Sequence, residues 1–155
     1  MDRTRRDSPA SRSGTASGRA PAAWTPEYFD GKSAMDLIGW NTVTVPGMVS
    51  GWVELSKKFG KLPFAQLFKR AIDYAENGFP VSPVIARQWR EAIPILKNQP
   101  GFAESFLIDG KAPQAGQIWR FPAQANTLQE IAATQGESFY KGALAKSMVD
   151  FAQSS

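Results

Sequence analysis

The 155-residue sequence contains no cysteine and no histidine. Without cysteine there is no disulfide framework, no thiol nucleophile and no thiolate metal site. Without histidine there is no Ser-His-Asp or Cys-His couple, no imidazole-ligated zinc and no imidazole general base. Catalysis by these residues alone would have to use carboxylates, lysine, tyrosine or an N-terminal amine. Long hydrophobic runs are also missing: nothing approaches the roughly 18 apolar residues of a membrane span. The basic N-terminus is not followed by the apolar stretch of a secretory signal.

Alternating apolar and polar residues, the mark of half-buried strands, are scarce as well. Hydrophobic residues at 43% and charged residues at 21% are those of a folded globular chain. The net charge of +4 is uneven. Residues 1–19 carry five arginines against Asp2 and Asp7, whereas the rest holds 13 basic and 12 acidic side chains. The basicity belongs to the tail, and neither nucleic acid nor a membrane surface is an expected partner.

Composition divides the chain at residue 20. In residues 1–19 only Met1, Ala10 and Ala16 are apolar, too little to offset the entropy of ordering, so a disordered basic tail is expected. Residues 20–45, with Trp24, Tyr28, Phe29, Leu37, Ile38 and Trp40 among Pro and Gly, read as an irregular arm with a short helix at 33–38. Helical spacing then takes over. Met48, Trp52, Leu55 and Phe59, with Val49 and Val53 alongside, form a first stripe closed by Gly60. One helix is expected from Pro63 to Asn77, with Phe64, Leu67, Phe68, Ala71, Ile72 and Ala75 inward and Lys69, Arg70, Asp73 and Glu76 in water. Another starts at Ser82-Pro83, buries Ile85, Trp89, Ala92 and Leu96, and kinks at Pro94. A turn, a helical piece at 103–107, a reversal at Asp109-Gly110 and an extended segment at 118–121 follow. Helices at 122–135, with Ala125, Leu128 and Ile131 inward, and at 142–152, with Leu144, Ala145, Met148 and Val149, complete a mostly α chain.

Several residue groups invite a functional reading. Asp73 and Glu76 share a helix face, as an acid–base pair must. They also lie opposite the apolar stripe beside Lys69 and Arg70, which favours solvated ion pairs. Lys57, Lys58 and Lys61 fall at a helix C-terminus, where cations complement the dipole; a phosphate loop would need glycines before an N-terminus. Trp52 and Trp89 belong to apolar stripes and are expected in the core. Trp24 and Trp40, in the arm, are better placed for contact with another chain or another part of this one. Gly47 and Gly51 stand four apart at a helical start, and spacing alone does not choose between close packing and a ligand contact.

These residues also carry a resemblance. Thr44-Val45-Pro46-Gly47-Met48-Val49-Ser50-Gly51-Trp52 resembles the V-P-G-x-x-x-G segment of the γ-glutamyltransferase (glutathione hydrolase) family. Phe59-Gly60-Lys61-Leu62-Pro63-Phe64, Gly78-Phe79-Pro80-Val81 and Phe139-Tyr140-Lys141-Gly142 continue in the family's order, so the likeness covers residues 20–155. It implies an α+β fold, the αββα sandwich of the N-terminal-nucleophile hydrolases, of which this chain would be the helical part of the large subunit, an incomplete domain. It further implies a precursor that cleaves itself, and a small subunit whose N-terminal threonine attacks γ-glutamyl amides with its own amine as base. The γ-glutamyl group of glutathione would pass to an amino acid, a peptide or water. No metal or organic cofactor is implied, and the family suggests a periplasmic or extracellular location.

Two departures bear on activity. The family's T-T-H-type processing site needs a histidine, and the sequence ends at Ser155 before that site would be reached, so the chain is expected to be inactive alone. In the family, the arginine of an R-E-x-A-P motif holds the substrate carboxylate. Aligning Ala20-Pro21 with that motif puts Ser17 and Gly18 at the Arg and Glu positions, and Arg19, two positions away, is the candidate substrate-binding residue. The same departure allows residues 1–19 to be foreign to the family. The other reading is a helical binding or scaffolding module without catalysis, which turnover of a γ-glutamyl amide would separate from the enzyme fragment.

Overall fold

The computed structural model describes residues 16–154. They are mostly α-helical with two short strands, and they divide into two units, one ending at Phe59 and the other beginning at Gly60.

In the first unit, residues 1–15 of the expected tail lie outside the described residues, whereas residues 16–19 are described. The arm holds single 3-10 turns at Glu27–Phe29 and Trp40–Thr42, and the helix expected at 33–38 is absent. Side chains explain the difference. The Asp36 carboxylate accepts from Lys32 Nζ at 2.7 Å and from Asn41 Nδ2 at 3.0 Å, and Asn41 Oδ1 accepts from the Tyr28 hydroxyl at 3.0 Å. Polar side chains that bond locally compete with the helical ladder. Gly39, at φ +97°, then turns the chain in a way that a helix cannot continue. Trp24 meets Phe29 edge to face at 5.7 Å, so the arm covers part of its own aromatic surface.

Helix α1 spans Met48–Phe59. Its packed face is Val49, Trp52, Val53 and Ser56, with Val49 fully buried, while Met48, Leu55 and Phe59 are exposed. The expected stripe shares only Trp52 with that face and otherwise lies on its outer flank. Apolar residues span nearly half of the helix, an arc wider than the packed face, so periodicity alone could not choose the inward side.

The second unit opens with α2 (Phe64–Leu67) and α3 (Lys69–Asn77) where one helix was expected. Phe68 is the joint: its N–H reaches back only three residues, to Ala65 O, while its carbonyl accepts from Ile72 N–H. Tightening at this point buries the Phe68 ring edge-on against Phe64 at 4.8 Å and leaves Leu67 exposed. Gly78 closes α3 at φ +94°, donating to Tyr74 O. Strand β1 (Phe79–Pro80) then pairs antiparallel with β2 (Ile118–Trp119), Phe79 opposite Trp119 and Pro80 opposite Ile118.

Helix α4 (Pro83–Leu96) starts as its sequence demands, with Ser82 Oγ accepting from Ile85 N–H and Pro83 at the first position. It continues two residues past Pro94. Its inward face begins at Ala86 rather than Ile85, which is exposed. Ala86 joins Val81 and Trp119 in a core cluster on which Trp89 and Ile108 pack. Trp89 meets Trp119 edge to face at 4.7 Å and Phe106, from α5 (Phe102–Phe106), at 6.1 Å. A tight reversal follows: Ile108 and Lys111 exchange both backbone hydrogen bonds, and Asp109 and Gly110 both have positive φ.

Helix α6 (Pro122–Ala133) packs against α3 and α2 and buries Ala125, Leu128, Ile131 and Ala132. It ends in a Schellman arrangement, Gly136 N–H donating to Ile131 O, in which Gln135 takes the left-handed conformation at φ +50°. The one-turn helix α7 (Glu137–Lys141), not expected from the sequence, leads into α8 (Ala143–Ser154). On α8 Leu144 and Ala145 are half-buried, but Met148 and Val149 are exposed, against expectation.

Candidate functional site

The site is a crossing of two stretches within the first unit, residues 16–19 and residues 44–51. Thr44 Oγ1 donates to Ser17 O at 2.9 Å, and Val45 N–H donates to Arg19 O at 3.0 Å. Gly18, at φ +91°, turns the first stretch so that its backbone lies directly on Val45 and Gly47. A Cβ on Gly47 would stand 2.7 Å from Gly18 N and 2.9 Å from Ala16 O; one on Gly51 would collide with the Ala16 methyl. Gly47 and Gly51 therefore serve close approach, one of the two readings that their spacing left open. The partner is a neighbouring stretch of this chain. Sequence reasoning missed Gly18 and Ala16, and only the positive φ at Gly18 and the depth of the contact reveal them.

Arg19 is anchored through its own carbonyl at this crossing. Its side chain is exposed, and its guanidinium has no hydrogen-bond or ion-pair partner among the described residues. A planar, permanently charged fork held at its base is of a kind that pairs with carboxylates.

The remaining candidates stay apart from it. Asp73 and Glu76 are both exposed on α3, and Asp73 accepts from Asn77 Nδ2 at 2.8 Å. The ion pairs expected with Lys69 and Arg70 are not among those formed by the described residues. Lys57 pairs with Glu54 at 3.6 Å, and Lys58 Nζ lies 5.1 Å from the Phe59 ring centre. Both lie in the last turn of α1, as a dipole-complementing role requires. Trp89 lies on the core; Trp52 is half-buried, as is Trp24, and Trp40 is exposed. Among the described residues no group of three or more acidic, Cys or His side chains is placed to hold a metal, and no helix is long and apolar enough to cross a membrane.

The family model for gamma-glutamyltranspeptidase matches residues 4–155, a span that takes in most of the stretch set apart by composition as a tail. The chain is 38% identical, over 88% of its length, to the glutathione hydrolase-like YwrD proenzyme of Bacillus subtilis. It is 41% identical, over 84% of its length, to the oxamate amidohydrolase proenzyme of Klebsiella pneumoniae. In each case it covers 26% of the relative. Among solved structures, the cephalosporin acylase of Bacillus halodurans superimposes with a TM-score of 0.78 at 40% identity, covering 86% of this chain and 26% of that one. The chain thus spans about a quarter of the length of these relatives. With the family's motifs in order and the match running nearly from end to end, this chain belongs to the gamma-glutamyltranspeptidase family.

Proposed function

We propose that this chain is the helical part of the large subunit of an N-terminal-nucleophile hydrolase that transfers the γ-glutamyl group of glutathione to an amino acid, a peptide or water. The observation that carries the reading is the family match over residues 4–155. In this reading the chain packs in an αββα sandwich with a small subunit that brings the nucleophilic threonine, and the α-amine of that threonine accepts the hydroxyl proton during attack. Nothing in that sequence of steps calls for a metal or an organic cofactor. Arg19 binds the carboxylate of the donor. The periplasm or the cell exterior is the proposed location.

The absence of histidine and cysteine fits a chain that supplies binding and support rather than the attacking group. The experiment is release of p-nitroaniline from γ-glutamyl-p-nitroanilide by the chain alone, and by the chain completed with the remaining segments of a family precursor, the small subunit included. The first mixture should be inactive and the second active; release by the isolated chain would place a nucleophile within these residues and overturn the reading.

A second reading has its own support. The 41% identity to an oxamate amidohydrolase and the 40% identity to a cephalosporin acylase favour an amidohydrolase of the same mechanism with a different acyl group. Oxamate and γ-glutamyl-p-nitroanilide offered in parallel to the reconstituted enzyme distinguish the two by which one is consumed.

A further inference from the structure

Gly51 stands inside α1, where glycine is about 1 kcal/mol less favourable than alanine. Helix propensity therefore gives no reason for it; the Ala16 methyl, with which a Cβ here would collide, gives one. Gly47 makes room for something different, since the atoms a Cβ would meet there are backbone: Gly18 N at 2.7 Å, Ala16 O and Gly18 Cα at 2.9 Å. Gly18 completes the fit, with Val45 C at 3.0 Å and Gly47 N at 3.1 Å from a Cβ built on it. The residue that follows this interlock is Arg19, tied by its carbonyl to Val45 N–H.

We propose that Gly47 and Gly51 are positioning residues for Arg19. They let the backbone of residues 16–18 sink onto the first turn of α1, and that depth sets the height from which the Arg19 guanidinium reaches the substrate. The functional half of this proposal rests on the reading of Arg19 as the carboxylate-binding group; the structural half does not.

The structural half is tested on the whole 155-residue chain. Two signals report the docked segment: tryptic cleavage after Arg19, and hydrogen exchange of the Val45 amide that Arg19 O accepts. Overpacking at the crossing should raise both rates about tenfold or more in Gly51→Ala. The double variant Ala16→Gly/Gly51→Ala should return them to within about twofold of the parent, once the methyl has gone and the nearest remaining neighbour is Ala16 Cα at 3.8 Å. Gly47→Ala should be as disrupted as Gly51→Ala, and Ala16→Gly should not rescue it, because its obstructions are backbone. Unchanged rates in Gly51→Ala, or equal rescue of both glycine variants by Ala16→Gly, would overturn the proposal.

The functional half is read in the enzyme completed with the remaining segments of a family precursor, the small subunit included. Arg19→Ala should raise KM for γ-glutamyl-p-nitroanilide with kcat little changed. Gly51→Ala should raise KM in the parent by about tenfold or more, and add nothing in the Arg19→Ala background. A further rise in that background would show that Gly51 does not act through Arg19. If Arg19→Ala leaves KM unchanged, the carboxylate reading falls, and proteolysis and exchange still decide whether the glycines set the segment.

Discussion

Replacing Gly78 by alanine probes how tightly the second unit is closed. Gly78 has φ +94° and ψ 167°, a region essentially reserved for glycine, and an L-residue held there costs about 1–3 kcal/mol. The new methyl would also meet Ile118 Cγ2 at 2.5 Å, and Arg120 Cγ and Trp119 O at 2.9 Å. The arginine methylene can move. The branched Ile118 side chain and the paired backbone of β2 cannot do so without disturbing Trp119, so about 1–3 kcal/mol of overpacking is added. Against this, alanine stiffens the unfolded chain and returns about 0.4–1 kcal/mol. The net loss is about 3 kcal/mol, or about 12–24 °C in Tm for a unit of this size. Urea titration followed by tryptophan fluorescence measures it, since Trp89 and Trp119 lie on the core beside the substitution. Gly116→Ala is the control: it shares the positive φ, at +81°, but nothing lies within 4 Å of its Cβ, so it should lose only about 1 kcal/mol. Equal losses in the two variants would refute the claim that contact, and not backbone strain alone, makes Gly78 necessary.

Three further outcomes follow from the same geometry. Ser82→Ala removes the acceptor for Ile85 N–H and should cost about 1 kcal/mol in the same titration, with Ser82→Asp close to neutral. Leu128→Ala empties a position buried where α6 packs on α3 and should cost about 2–5 kcal/mol, far more than Gln129→Ala on the exposed side. Hydrogen bonds from Lys32 and then Asn41 hold the Asp36 carboxyl below the usual aspartate value. Because the folded value is the lower one, the contribution of this clasp is complete above the ordinary aspartate range and is lost as pH falls through the lowered value. The Asn41 side-chain amide resonances should therefore titrate with a midpoint below that of a free aspartate, and a midpoint at the ordinary value would contradict the clasp.

The parts of the fold legible in the sequence are those decided within a few residues. Ser82-Pro83 starts α4 because a hydroxyl acceptor and a donor-less N1 residue are both local requirements. Asp109-Gly110 reverses the chain because both can take positive φ. The parts that were not legible depend on distant atoms. Phe68 breaks α2 from α3 as its ring buries against Phe64, and Ile85 gives way to Ala86 because Val81 and Trp119, far apart in sequence, fix where the core lies. Gln135 occupies a left-handed position usually taken by glycine, with Gly136 one residue later, so the end of α6 was placed slightly too late. At the site, the motif around Gly47 and Gly51 was visible as a motif. Its use was not, because the segment that fills it is some thirty residues earlier and is marked only by a glycine and an alanine.

The end of α3 carries a consequence for the order of assembly. Its last carbonyls are claimed from far along the chain: Asn77 O accepts from Arg120 Nε at 3.1 Å, and Ala75 O accepts from Phe121 N–H at 2.8 Å. Those donors are made 43 residues later in the first case, so at a ribosomal pace of about 5–20 residues per second the helix waits a few seconds for them. During that interval the C-terminal turn of α3 has only local bonds to hold it, Gly78 N–H to Tyr74 O and the Asn77 amide to Asp73, and the Ile118–Trp119 strand must arrive before the helix end is secured. A nascent chain stalled before Arg120 would carry an α3 that frays at one end, open to proteases at a place the finished protein protects.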